Sequence, residues 1–104
     1  MLSKQNGVSL KTWKEYAELY CVDPNLSSHT LKTRENVTGK VESFCKEEGI
    51  TFIDTKTILR FRQSLCGYSY NTVAKYIRQI HSFCVFMIES GVLKETLVPR
   101  SMRV

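Results

Sequence analysis

The pattern of apolar and polar positions is most regular between Ser69 and Gly91, where it has the period of an α-helix. Apolar side chains recur there on one stripe, at about 100° per residue. The stripe consists of Val73, Ile77, Ile80, Cys84 and Met87, widened by Tyr76, Phe83 and Ile88. Ser69 can cap the first turn, and Gly91 can adopt the left-handed conformation that ends a helix. The stretch therefore predicts one long helix over residues 69–90.

This helix has two sides of different character. The side opposite the apolar stripe is polar and carries Asn71, Lys75, Arg78 and Ser82. Between residues 83 and 88, however, the helix is apolar all round. Such a segment indicates either the centre of a bundle or a surface that contacts another molecule.

Three further helices are predicted upstream, over about residues 10–21, 28–48 and 55–65. Each follows a residue that can accept a hydrogen bond from the first turn, and the candidates are Ser9, then Ser27 or Ser28, then Asp54 or Thr55. The connector 50–53 is short and apolar, but no segment near it in the sequence is suited to pair with it as a strand. Residues 92–95 are compatible with one last helical turn.

Two residues fit the second predicted helix poorly. Gly39 lies in its middle, where glycine costs about 1 kcal/mol relative to alanine. Arg34 falls on its apolar stripe, so its charged end must reach solvent or find a partner.

Composition favours one folded, helical domain. The chain has 104 residues, 42% of them hydrophobic and 24% charged, with only two prolines and five glycines. The domain is expected to span residues 9–98. Residues 1–8 are expected to form a flexible lead-in, and residues 99–104 to begin a linker to a domain that is absent from this chain.

Charge and cysteine usage narrow the possible partners and compartment. The formal charge of +5 favours a polyanionic partner such as nucleic acid. No apolar run is long enough to cross a membrane, and no signal peptide is recognisable, so no membrane partner is expected. The four cysteines are widely spaced without a Cys-x-x-Cys pair, which favours free thiols in a reducing cytosol over disulfides or a zinc site.

The sequence contains no arrangement typical of an active site. Its two histidines, His29 and His81, fall on different predicted helices, and neither has a cysteine or carboxylate at metal-ligand spacing. No glycine-rich phosphate loop or paired catalytic carboxylates are present. We therefore predict neither an enzyme activity nor a cofactor for this chain.

Two polar stripes, one on the second and one on the fourth predicted helix, resemble each other. Each begins at a helix start, where free N–H groups and the helix dipole favour phosphate, and each continues with basic side chains. Placed side by side, two such helix starts can straddle a DNA major groove. The alternative is that the hydroxyls are only caps and the lysines only a solvated face. The candidate DNA-binding residues are Ser28, His29, Thr30, Lys32, Thr33, Asn36 and Lys40 in one stripe, and Ser69, Tyr70, Asn71, Thr72, Lys75, Arg78 and Ser82 in the other.

Several segments, taken in order, resemble the core-binding domain of tyrosine recombinases, the phage integrase family. They are Ser28-His-Thr-Leu-Lys-Thr33 leading to Phe44, Ile53-Asp54 with Ile58-x-x-Phe61, Tyr68-Ser69-Tyr70-Asn71-Thr72 leading to Phe83, and Ile88-Glu-Ser-Gly-Val-Leu93. The resemblance covers roughly residues 8–99. No single motif is specific, and the joint order and spacing carry it. Arg34, Gly39 and the exit Leu97-Val98-Pro99 depart from the family pattern.

The resemblance implies a fold, a function and partners. The fold would be an all-α, four- to five-helix orthogonal bundle of the SAM-like type. The second and fourth helices would clamp double-stranded recombination-site DNA, alongside other recombinase protomers. A catalytic domain of the same parent, following Arg100, would form the 3′-phosphotyrosine intermediate, so this chain would bind DNA and cut nothing. The parent would act in the cytoplasm of a prokaryotic cell, encoded by a phage or mobile element. A second hypothesis is a helical protein-interaction module that uses the surface around Val85 and Phe86.

Overall fold

Four helices and one small sheet make up residues 6–102, the part of the chain that the computed structural model describes. The helices are α1 (Leu10–Tyr20), α2 (Ser28–Glu48), α3 (Thr55–Gln63) and α4 (Tyr70–Glu89). The strands are β1 (Gly7–Ser9) and β2 (Phe52–Asp54), and a short 3₁₀ turn covers Arg100–Met102. The prediction of a mainly α-helical domain with four helices is therefore confirmed.

All four helices begin with the same local device. An oxygen of the residue before each helix accepts a hydrogen bond from the backbone N–H of a threonine three residues later. The pairs are Ser9 with Thr12, Ser27 with Thr30, Asp54 with Thr57 and Ser69 with Thr72, at 3.0–3.2 Å. The second helix is thus capped by Ser27 and the third by Asp54, which resolves the two alternatives left open by the sequence.

The two strands correct the expectation that the connector 50–53 has no strand partner. β1 and β2 pair antiparallel, with Val8 opposite Ile53. Both of these side chains are buried, so the pairing closes one end of the core. Gly7 and Val8, which the sequence placed in a flexible lead-in, belong to this sheet; residues 1–5 of the lead-in lie outside the described residues.

The core lies between α1, α2 and α4, with α3 and the C-terminal segment closing it. Trp13 is fully buried and meets the ring of Phe83 edge-on at 4.7 Å, while its indole N–H donates to the carbonyl of Thr38 at 3.3 Å. This contact ties α1 to both longer helices at once. The other large, fully buried side chains include Val37 and Val41 of α2, Ile58 and Phe61 of α3, and Ile77, Ile80 and Met87 of α4.

After α4 the chain returns to the core instead of leaving it. Gly91 has a φ of 83°, as expected for the residue that ends the helix, but residues 92–95 form no further helical turn. Leu97 and Val98 are fully buried, and Met102 is nearly so. The segment that the sequence suggested as a domain exit and the start of a linker therefore contributes side chains to the core as far as Met102.

Candidate nucleic-acid interface

The strongest candidate surface is the polar side of α4. Asn71, Lys75, Arg78 and Ser82 are all exposed, because the neighbouring apolar positions turn toward the core and fix the rotation of the helix. Within the described residues neither Lys75 nor Arg78 forms an ion pair. No aspartate or glutamate occurs between residues 70 and 88, so the two positive charges are not neutralised along the helix. We call these four residues the α4 line.

The polar side of α2 is less uniform. Ser28, His29, Lys32 and Asn36 are exposed, as predicted. Glu35 is also exposed, next to Asn36 in the sequence, and it reduces the positive potential on this side of α2. The basic character of α2 is therefore weaker than that of α4.

Lys40 has a different environment from the other predicted lysines. Its ammonium nitrogen lies 5.8 Å from the ring centroids of both Tyr68 and Tyr76, and those two rings are 5.8 Å apart. The positive charge of Lys40 is thus held near the start of α4 by contact with the faces of two rings. Tyr68 was not among the predicted residues, although 44% of it is exposed on this surface. The sequence signal that could have identified Tyr68 is its position as an aromatic residue directly before Ser69, the capping residue of α4.

Some of the predicted hydroxyl groups are already engaged within their own helix. The Thr30 and Thr72 hydroxyls hydrogen-bond those of the capping serines, Ser27 and Ser69, at 3.0 and 2.9 Å. The Thr33 hydroxyl donates to the carbonyl of His29 at 3.1 Å. Because Ser9 and Thr12 of α1 are bonded in the same way, the Ser-x-x-Thr spacing is explained by helix capping and does not by itself indicate a DNA site.

The two predicted stripes lie on helices that pass each other in opposite directions. Arg34 of α2 and Ser82 of α4 both interact with Tyr20. Lys40 follows Arg34 along α2, but its partner Tyr76 precedes Ser82 along α4. The start of α4 therefore lies near the middle of α2, about 18 Å along the axis from the start of α2. The side-by-side placement of the two helix starts, which would let them straddle one major groove, is therefore not the arrangement in this structure, because local patterns specify faces and not helix direction.

Buried titratable groups are held in their neutral forms. Burial raises the pKa of the Tyr20 hydroxyl, although the Arg34 guanidinium and a hydrogen bond with Ser82 partly oppose this effect. Burial raises the pKa of the Cys45 thiol to about 11 and also raises that of Cys84. All four cysteines are free thiols. A thiol whose pKa is raised is a poor nucleophile, so these buried cysteines have structural rather than reactive character.

The structure contains a second surface of different character. A groove of about 570 Å³ runs between the end of α1 and the second half of α4. Leu19 and Val22 are exposed on one wall and Val85 on the other. This is the surface that the all-apolar stretch of α4 indicated, although Phe83, Cys84 and Met87 of that stretch are buried in the core.

Across residues 6–102, no cluster of three His, Cys, Asp or Glu side chains is placed to hold a metal ion. None of the four helices combines the length and the apolar character needed to cross a membrane.

Comparison with known proteins adds no relative: no family model matches the chain, and neither a curated protein nor a solved structure matches it.

Proposed function

We propose that this chain docks on double-stranded DNA through the α4 line and the neighbouring polar side of α2, as the core-binding domain of a site-specific tyrosine recombinase. The observation that carries DNA docking is the α4 line: four exposed polar or basic side chains on one face, with no carboxylate between residues 70 and 88. The order and spacing of the sequence motifs support the choice of family.

The side chains of the line suit the two tasks of DNA recognition. Lys75 supplies a flexible ammonium group for phosphate, and Arg78 supplies a planar guanidinium that can bind either phosphate or the O6 and N7 atoms of guanine. Asn71 has the donor and acceptor pair that matches adenine in the major groove. Lys32 on α2 adds a further exposed positive charge. In this arrangement phosphate contacts supply most of the affinity, and Asn71 and Arg78 are the candidates for base readout.

In the proposed parent protein, the nucleophilic tyrosine belongs to a separate catalytic domain. We assign that role to none of the tyrosines of this chain; Tyr20 is buried, and Tyr76 packs against Tyr68 and Lys40. This chain would hold recombination-site DNA, and cleavage through a 3′-phosphotyrosine would require the catalytic domain and the other protomers.

A salt titration with matched variants tests DNA docking. Fluorescence anisotropy with a labelled mixed-sequence duplex would give the slope of log K against log salt concentration for the wild type. Each lost phosphate contact reduces the magnitude of that slope by about 0.9. Lys75→Ala with Arg78→Ala is therefore expected to reduce it by about 0.9 if Arg78 contacts a base and by about 1.8 if both side chains contact phosphate, and to weaken binding at low salt.

The control removes the same charge from another face. Lys11→Ala with Lys14→Ala, both exposed on α1, lowers the net charge equally but is expected to keep most of the slope. Equal losses in the two double variants would mean that the duplex responds only to overall charge, and the α4 line would not be a docking surface.

A further inference from the structure

Three large apolar side chains are exposed in the groove between α1 and α4. Leu19 is 56% exposed, Val22 65% and Val85 37%. Leu19 and Val22 are three residues apart near the end of α1, and Val85 faces them from α4 across the groove. Exposed apolar side chains that converge on one concave surface are typical of an interaction site, whereas scattered ones need no explanation.

The floor of the groove consists of packed aromatic rings. The ring of Tyr20 lies 5.1 Å from that of Phe83 and 5.2 Å from that of Phe86, and it is buried. The guanidinium carbon of Arg34 stacks 3.8 Å from the Tyr20 ring centroid, and Arg34 Nη1 donates to the Tyr20 carbonyl at 2.8 Å. A partner would therefore meet a preformed surface, which lowers the entropic cost of binding.

The charge of the groove is opposite in sign to that of the chain. Asp23 lines one wall and Glu89 the other. The positive charge of Arg34 is engaged by the Tyr20 ring and carbonyl, and within the described residues neither carboxylate forms an ion pair. An acidic rim in a chain of net charge +5 disfavours DNA and favours a basic partner.

We propose that this groove binds an amphipathic helical segment of another protein, with apolar side chains on Leu19, Val22 and Val85 and lysine or arginine side chains on Asp23 and Glu89. A helix presents apolar side chains at every third or fourth position, so one face of it can contact Leu19 and Val22 on one wall and Val85 on the other. The groove and the α4 line share Ser82, but the two acidic residues and the three apolar ones lie outside that line, so DNA docking and peptide binding can be tested separately.

A designed peptide provides the probe. It carries leucine at every third or fourth position, alanine between, and lysine pairs at both ends; its two matched forms replace the lysines by glutamate or the leucines by serine. Binding to the full 104-residue chain would be followed by amide chemical shifts. The lysine form is expected to shift residues 19–24 and 81–89, and to bind about tenfold more tightly than the glutamate form.

Variants of the chain assign the contacts. Leu19→Ser with Val22→Ser is expected to remove peptide binding, whereas Leu59→Ser, a change of another exposed leucine on α3, is expected to retain it. Glu89→Lys is expected to reduce or reverse the preference for lysine over glutamate ends. All of these positions are exposed, so circular dichroism should show unchanged folding.

Three results would overturn the proposal. Peptide binding that survives the double serine variant would place the site elsewhere. A concentration-dependent dimer in sedimentation that the same variant abolishes would make a second copy of this chain the occupant. Duplex DNA that shifts residues 19–24 and 85–89 would assign the groove to the DNA interface. Failure of DNA binding in the Lys75 and Arg78 variant would leave the peptide result unaffected, so the two proposals are separable.

Discussion

At the scale of single residues, the contacts of Arg34 with Tyr20 explain why a charged side chain lies on the apolar stripe of a helix. Arg34 lies on the apolar stripe of α2 and is only partly exposed. Its guanidinium covers the Tyr20 ring and bonds the carbonyl at the end of α1, a group without an intrahelical partner. Replacing Arg34 removes a cation–π contact and a hydrogen bond to a charged donor together.

Arg34→Ala is therefore expected to lower the free energy of unfolding by about 2 kcal/mol. Urea denaturation followed by circular dichroism would measure the change. Lys32→Ala, at an exposed position two residues away, is expected to change it by less than about 0.5 kcal/mol. Similar small effects for both variants would show that Arg34 contributes no net stability where it lies.

The sequence indicated that the charged end of Arg34 must reach solvent or find a partner, but it could not identify the partner. The structure places the guanidinium on the Tyr20 ring. Residue patterns predicted which side chains of α2 and α4 are exposed, since the apolar stripe fixes the rotation of each helix. They did not predict that the Thr30 and Thr72 hydroxyls are used in capping, because caps and phosphate sites draw on the same residue types.

At the scale of elements, Gly39 and Gly49 of the second helix have opposite roles. Gly39 lies in the helix interior, and a Cβ added there would meet no atom within 4 Å. Gly49 follows the last residue of the helix with a φ of 70°, a left-handed conformation that favours glycine. The same added methyl group therefore has opposite consequences at the two positions.

Gly39→Ala is expected to stabilise the protein by about 1 kcal/mol, because alanine favours a helix interior and restricts the unfolded chain. Gly49→Ala is expected to destabilise it by about 1 kcal/mol, because a Cβ is strained in the left-handed conformation. Urea midpoints of the two variants would give both signs. Gly39 lies in the seam between α1 and α2, the surface groove where these two helices meet. A loss of stability in Gly39→Ala would mean that other side chains fill the space beside Gly39 in solution.

Helices and strands differed in how well local patterns predicted them. Each helix has its period, its cap and its stop within one stretch, so the predicted bounds are within about two residues of those observed. The sheet has no such local signal, because each strand is three residues long and β1 pairs with a segment far away in the chain. The opposite directions of α2 and α4 likewise depend on contacts through Tyr20 and Lys40 between residues distant in sequence.

At the scale of the whole molecule, charge is distributed unevenly. Residues 70–88 carry Lys75 and Arg78 without an acid, whereas three glutamates and one lysine line the seam between α1 and α2, namely Glu18, Glu35, Glu42 and Lys14. A polyanion approaching the molecule would therefore be attracted to the α4 side and repelled from the seam. This asymmetry gives the proposed DNA contact a preferred orientation, which the net charge of +5 alone does not.

The folded core extends almost to the end of the described residues. Leu97 is fully buried, although it belongs to a segment that resembles a domain exit in sequence. Leu97→Ala is expected to lower the free energy of unfolding by about 3 kcal/mol, since a buried leucine leaves a cavity when it is truncated. Leu59→Ala makes the same chemical change at a position that is 41% exposed, and it is expected to cost less than about 1 kcal/mol. Urea unfolding of both variants would separate the two possibilities for the segment. If the segment acts as a linker in solution, Leu97→Ala should lower the free energy of unfolding as little as Leu59→Ala does. If the segment closes the core, Leu97→Ala alone should remove a large share of the free energy of unfolding, which for small domains totals about 5–15 kcal/mol.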